Sequence, residues 1–365
     1  MRLTFPHMGC LSIPLETLIN GLGHEAVVPP PTNKRTFELG AKYSPESACL
    51  PFKVNLGNFI EALEEGAEGI LTAGGIGPCR FGYYAQIQKK ILQDLGYDFE
   101  LLLLDPPGGG TKELYRAIKI LLKNSNLSRA TWLLRLAWEK VRLLDEGNKA
   151  FRYYLPRVSK KMEACQMYEE FMENIRQQEK NGRLSIYYQE FLESLQELSD
   201  QSKENTVLRV KIIGEIYMVL EPRVNFHLET TLGKMGVEVI RPLSMSQWVE
   251  EHLLGAMFPA LKQRTVLLSR PFLPAFVGGH GRETVAEMVD AGVNRLDGVI
   301  QVLPFTCMPE IVAQSIIPEL SKVYDLPILI LVIDEHSGEA GLMTRLEAFV
   351  DLIRRRKDKQ EEVAK

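Results

Sequence analysis

GVIQVLPFTCMPEIVAQSIIPEL, residues 298–320, is the stretch whose reading decides the fold. Residues 298–303 form a short apolar, β-branched run with no charge, as expected of a strand buried on both faces. The loop Pro304-Phe305-Thr306-Cys307-Met308-Pro309 breaks that run, and 309–323 reads as the helix that follows. The same unit stands upstream. There a strand over 69–73 leads through Gly74-Gly75-Ile76-Gly77-Pro78-Cys79-Arg80 into a helix over 83–95, stopped at Gly96.

Working outward, residues 1–110 alternate strand and helix. Strands are predicted at 3–5, 26–28, 69–73 and 99–104, and helices at 13–21 and 56–65, the latter with Asn55 as N-cap and Gly66 as stop. A long loop over 32–51 follows Pro29-Pro30-Pro31, and Asp105-Pro106-Pro107-Gly108-Gly109-Gly110 closes the region. Residues 111–205 lose almost all glycine and become rich in Lys, Arg, Glu, Gln and Leu. They read as a helical insert with breaks near 124–128, Gly147, Pro156 and Asn181-Gly182. Residues 206–365 return to strands (207–213, 237–240, 298–303, 327–333) and helices (283–291, 309–323, 342–355), with a charged tail from 354 expected to fray. The predicted class is α/β: two Rossmann-like parallel-sheet lobes, 1–110 and 206–365, with the helical insert 111–205 between them.

Composition narrows the function. Apolar residues make up 45% and the net charge is −4 with acids and bases interspersed, so no basic face marks a nucleic-acid partner. The longest apolar runs fall far short of the roughly 20 residues of a membrane helix. The start, MRLTFPHMGC, lacks the apolar core of a signal peptide, so a cytoplasmic location is expected.

Five scattered cysteines, at 10, 49, 79, 165 and 307, are an odd count for disulfides in a reducing compartment. In open parallel sheets ligands bind beyond the carboxyl ends of the strands. Cys79 and Cys307 lie directly after predicted strands, and Cys49 lies in a Pro-bearing loop before a helix. Spacing alone leaves three readings open: small buried hydrophobes, reactive thiols or metal ligands. No CxxC pair is present. Cys165, inside a predicted helix, reads as core, and Cys10 follows a strand end. Other polar residues share these edges. Arg80 offers a cation to a cluster or phosphate, and Lys53 and Asn55 flank the Cys49 loop. His280 lies in the Gly-rich turn Val277-Gly278-Gly279-His280-Gly281, and Glu335 and His336 end a strand where a proton could be relayed. Glu215 ends another. Gly-Gly-Ile-Gly-Pro at 74–78 lacks dinucleotide spacing.

Over PHMG (6–9), ELGAKYSPESACLPFKVNLGNFIEALEEGA (38–67), GGIGPCRFGYY (74–84), ILQDLGYDFE (91–100), GEIY (214–217), the Asn225 region, LDGVIQVLPFTCMPE (296–310) and PILILVIDEHSGEAGLMTRLEAFVDLI (327–353), the chain resembles the 2-hydroxyacyl-CoA dehydratase superfamily. Within it the likeness is to the branch related to the acyl-CoA dehydratase activase. The resemblance covers both α/β regions and is weak across the insert. It implies a [4Fe-4S] cluster held by Cys49, Cys79 and Cys307 with one iron open. It also implies low-potential electrons from an ATP-dependent activase for radical or reductive chemistry, and a homodimer or a pairing with a paralogous subunit. No activase-type ATP signature is present, so the chain is not expected to be the ATPase. A non-catalytic scaffold subunit of such a complex and a two-lobed zinc protein are the rival readings.

Overall fold

The structure is a computed structural model and describes residues 1–74, 79–104, 111–179, 181–200, 207–253 and 263–364. The loop at 105–110, the 201–205 end of the predicted insert and most of the Gly-Gly-Ile-Gly-Pro turn lie outside the described residues. Strands β1 to β8 are Arg2–Thr4, Glu25–Ala26, Gly69–Ala73, Glu100–Leu104, Leu208–Gly214, Val237–Ile240, Gly298–Pro304 and Ile328–Ile333. Helices α1 to α8 are Ser12–Gly21, Lys34–Tyr43, Leu50–Glu64, Tyr84–Asp94, Thr111–Leu121, Leu127–Tyr154, Lys161–Gln177 and Leu184–Leu198. Helices α9 to α15 are Ile216–Leu220, Leu228–Lys234, Met245–Leu253, Gln263–Ser269, Gly281–Val293, Met308–Tyr324 and Glu339–Ala364.

Two all-parallel four-stranded sheets result, in the orders β2-β1-β3-β4 and β6-β5-β7-β8. The order is the same in both lobes, and in each it reverses beside the first strand. Register runs Leu3 opposite Gly69 in the first sheet and Val210 opposite Gly298 in the second. The central strands β3 and β7 are covered on both faces, whereas the edge strands β2 and β6 carry Glu25 and Glu238 at less buried positions. β7 is buried along its whole length. The lobes are joined through α3, whose Leu50 and Val54 pack into the core of the second sheet with Val210, Ile212 and Ile300.

The region 111–200 is helical, with its own core around stacked Phe151 and Tyr168 (ring centroids 4.4 Å apart) and Phe171 and Phe191 (4.7 Å). Gly147 does not break a helix; α6 runs through it. A Cβ there would come within 2.2 Å of Phe171 Cε1, so the glycine lets α6 and α7 approach closely.

Three further expectations are corrected. The 32–51 loop contains α2, started by a capping box in which Asn33 accepts the Arg35 N–H and Thr36 accepts the Asn33 N–H. Asn-x-x-Thr is not the usual Ser/Thr-x-x-Glu signature. Gly40 and Gly57, whose Cβ atoms would meet backbone at 2.0 and 2.1 Å, let α2 lie directly on α3. Helix α3 begins at Leu50 with Cys49 as N-cap and Pro51 in its first turn, which places Asn55 inside the helix rather than at its cap. The charged tail continues α15 to Ala364, because Leu346, Phe349, Val350 and Ile353 anchor the helix on the second sheet.

Candidate functional site

Each of Cys49, Cys79 and Cys307 is the N-cap of a helical segment. Cys49 caps α3, Cys79 caps the 3-10 turn Arg80–Tyr83 that runs into α4, and Cys307 caps α14. Cys49-Leu50-Pro51 and Cys307-Met308-Pro309 share one pattern, with Pro in the first turn where its missing N–H costs nothing. Cys79 and Cys307 follow the third strand of their lobes, beside the point where strand order reverses.

Arg80 ties the three loops together. Its guanidinium donates to Ser47 O at 2.7 Å, to Thr306 O at 2.7 Å and to Thr306 Oγ1 at 3.1 Å, and the Thr306 hydroxyl donates to Ser47 O at 3.3 Å. One arginine beside Cys79 thus grips the residue before Cys307 and the loop before Cys49. Thr306 has φ +69°, a left-handed conformation that a β-branched residue seldom adopts, and such strain persists only where the surroundings enforce it. Gly279 completes the wall. Its Cβ position lies 3.1 Å from Pro309 Cγ and 4.0 Å from Cys79 Sγ, which brings the Gly-rich turn of His280 to the cysteine edge. His280 caps α13 and lines a small cavity with Gly214 and Glu283.

The electrostatics of this edge are dominated by burial. Desolvation pushes the Cys49 thiol up to about 11, against the hydrogen bond of Tyr84, and raises Cys79 and Cys307 as well. Glu215, the N-cap of α9 at the end of β5, raises all three thiols by its negative charge, and Cys49 raises Cys307 further. Burial raises Glu215 to about 7, although its carboxylate accepts the Met218 N–H at 3.0 Å. Glu310 is likewise raised to about 7 by burial, while Gln301 and Thr284 donate to it. An edge rich in thiols and carboxyls, with the Arg80 guanidinium beside it, disfavours negative charge; a bound cation would reverse that balance.

The remaining sequence candidates divide. Buried Lys53 and half-buried Glu335 form an ion pair between α3 and the end of β8, a second bridge between the lobes. Asn55 is buried on α3, and its Oδ1 has no hydrogen-bond partner among the described residues. His336 is 86% exposed and stands 4.0 Å from Glu335; its backbone N–H donates to Asp334 in the turn before α15. Cys165 lies on α7 and Cys10 in a 3-10 turn after β1, both away from Arg80's grip. Tyr84, Glu310 and Thr306 went unread in the sequence. Tyr84 hydrogen-bonds Cys49 Sγ and is held edge-on between Phe52 and Phe81. An aromatic five residues after Cys79 carries no sequence signal for such a contact.

No family model and no curated protein matches the chain. Among the described residues no group of three or more His, Cys, Asp or Glu side chains is arranged to hold a metal ion. The cysteine-bearing loops are gathered, but their thiols are not set around a single ion. No helix among the described residues is long and apolar enough to cross a membrane.

Proposed function

We propose that Cys49, Cys79 and Cys307 hold a [4Fe-4S] cluster between the lobes, and that the chain accepts low-potential electrons from an ATP-dependent activase for reductive or radical chemistry. The observation that carries this reading is Arg80, which binds the loops of all three cysteines into one edge across both lobes. The donor set supports it. Three soft thiols suit iron–sulfur or zinc chemistry. When bound, such a cluster supplies a redox centre whose potential the protein tunes by hydrogen bonds and burial.

The chain's own residues have defined parts in this proposal. The backbone N–H groups of Phe52 and Glu310, in the first turns of α3 and α14, oppose the effect of burial on Cys49 and Cys307 by favouring their thiolate forms. Tyr84, kept protonated by burial and by the thiols beside it, donates its hydroxyl to Cys49 Sγ. Arg80 holds the loop spacing and offsets negative charge. Lys53 and Glu335 keep the lobes closed over the site.

Anaerobic purification followed by iron and acid-labile sulfide analysis tests the proposal. The wild type is expected to carry roughly four irons and as many sulfides per chain. Cys307→Ala is expected to lose most of both, while Cys165→Ala retains them. A colourless protein with one zinc, or a Cys307→Ala protein with undiminished iron, would overturn it. Mixing the loaded protein with an activase and ATP then tests the electron-accepting role. A cluster that stays oxidised in that mixture shifts the reading to a scaffold subunit.

A further inference from the structure

The cysteine edge leaves PHMG (6–9) and the Asn225 region without a role, and both line a separate cavity of about 660 Å³. Its wall comes from the turn after β1, Pro31 and Thr32, helices α6 and α7, the segment from α9 to β6 with its flanks, and Glu339 at the start of α15. The volume lies within the range of small-ligand sites.

The wall is held rigidly. Gly9 has φ +55° and its Cβ position lies 2.7 Å from Leu220 O, so the two loops touch backbone to backbone. Glu221 accepts the Gly9 N–H at 2.9 Å. Phe226 and His227 are both left-handed, at φ 57° and 54°, a costly pairing for non-glycine residues. Buried Asn225 enforces it, donating to Met218 O at 2.8 Å and Val219 O at 3.2 Å and accepting the Leu228 N–H at 3.2 Å. Beneath, Arg241 donates to Asn148 at 2.8 Å and pairs with Glu229, and Asn148 donates to Tyr168 at 3.1 Å.

The lining has two chemical characters. Met8, Met162, Met172 and Met245 give it an apolar surface of flexible thioethers, which adapts to the shape of a guest. Exposed Arg223, His227 and Lys234 line it as well. Among the described residues neither Arg223 nor Lys234 has a side-chain hydrogen bond or ion pair, and each repels a proton on His227. Most lining carboxylates are already engaged. Asp145 accepts the Ser246 N–H at 2.6 Å, Glu221 holds Gly9, and Glu229 serves Arg241 and Arg152. Glu169 and Glu339 remain, and Glu339 favours the charged form of His227.

We infer that this cavity binds an amphiphilic organic anion, its apolar body on the methionine wall and its head group on Arg223 and Lys234. Carboxylate and phosphate monoester heads suit these cations equally, so the test carries both. The inference does not depend on the metal reading, because no residue is shared with the cysteine edge.

Isothermal titration of the intact chain with octanoate, octyl phosphate, octan-1-ol, acetate and inorganic phosphate is the experiment. Octanoate, octyl phosphate or both are expected to bind, and to bind more tightly than octan-1-ol, acetate and phosphate. The double variant Arg223→Gln/Lys234→Gln is expected to weaken the amphiphile roughly ten- to a hundredfold, as removal of charge-assisted hydrogen bonds does. Both side chains are exposed and, among the described residues, make no ion pair, so this variant is expected to melt with the wild type. A thermal scan checks that before the titration is read. Absence of binding by both octyl anions, octan-1-ol binding as tightly as they do, acetate or phosphate matching its octyl counterpart, or an unaffected double variant would each overturn the inference.

Discussion

The two lobes share one strand order, and each carries a cysteine after its third strand, yet they load that edge differently. In the first lobe the first strand β1 runs on into Phe5, which is fully buried. In the second lobe the first strand ends in Gly214, at φ +131°, and in Glu215, a buried acid. Cys307 is preceded there by strained Thr306 and followed by buried Glu310. The first lobe supplies an extra cysteine and the clamp Arg80; the second supplies strain and buried charge. One topology therefore serves as a frame for two unlike contributions to a single edge.

The contact between the lobes is the place to break this comparison most severely. Lys53→Ala would leave half-buried Glu335 without its partner, at an expected cost of up to about 3 kcal/mol in urea denaturation. Lys53→Met, which fills the same space, would cost no less if the loss is electrostatic, whereas Lys53→Met/Glu335→Leu would recover most of it. A wild-type-like Lys53→Ala would mean that the packing of α3 and the grip of Arg80 hold the lobes without the ion pair.

The charge difference predicts a pH dependence carried by the second lobe. Glu215 has its pKa raised in the folded state from 4.5 to about 7. The folded state therefore binds more protons than the unfolded one between these values. The contribution is fully present below about 4.5 and is lost as pH rises towards 7. Glu215→Gln should remove that slope, with an effect of at most about 3 kcal/mol between pH 5 and 8. Identical pH profiles for the variant and the wild type would contradict it.

Strain sharpens the comparison at smaller scale. In Gly214→Ala the new Cβ meets Val302 O at 1.9 Å in a left-handed backbone, for an expected loss of about 2–3 kcal/mol. In Gly69→Ala, on β3 of the first lobe, the nearest atom is the end of the Leu3 side chain at 2.8 Å, and about 1 kcal/mol is expected. Equal thermal shifts for the two variants would remove the asymmetry.

Most strands were legible because fully buried parallel strands are continuous apolar runs bounded by Gly and Pro, as at 69–73 and 298–303. Helix α2 was not, because its capping box uses Asn33 and Thr36 and its packing rests on glycines. The cysteine loops could be singled out at strand ends, since that position follows from chain order. Their joining by Arg80 could not, because Ser47, Arg80 and Thr306 are unremarkable polar residues up to 259 positions apart.

The chain of amino acids by itself determined the α/β class, the two parallel sheets and the placing of Cys79 and Cys307 after strands, since these follow from local periodicity and turn chemistry. The tertiary structure alone decided that the three cysteine loops share one edge, that Lys53 pairs with Glu335, and that a methionine-lined cavity opens beside His227. Burial, strain and pairing are properties of groups distant in sequence. They arise only when the two sheets and the helices between them are packed together.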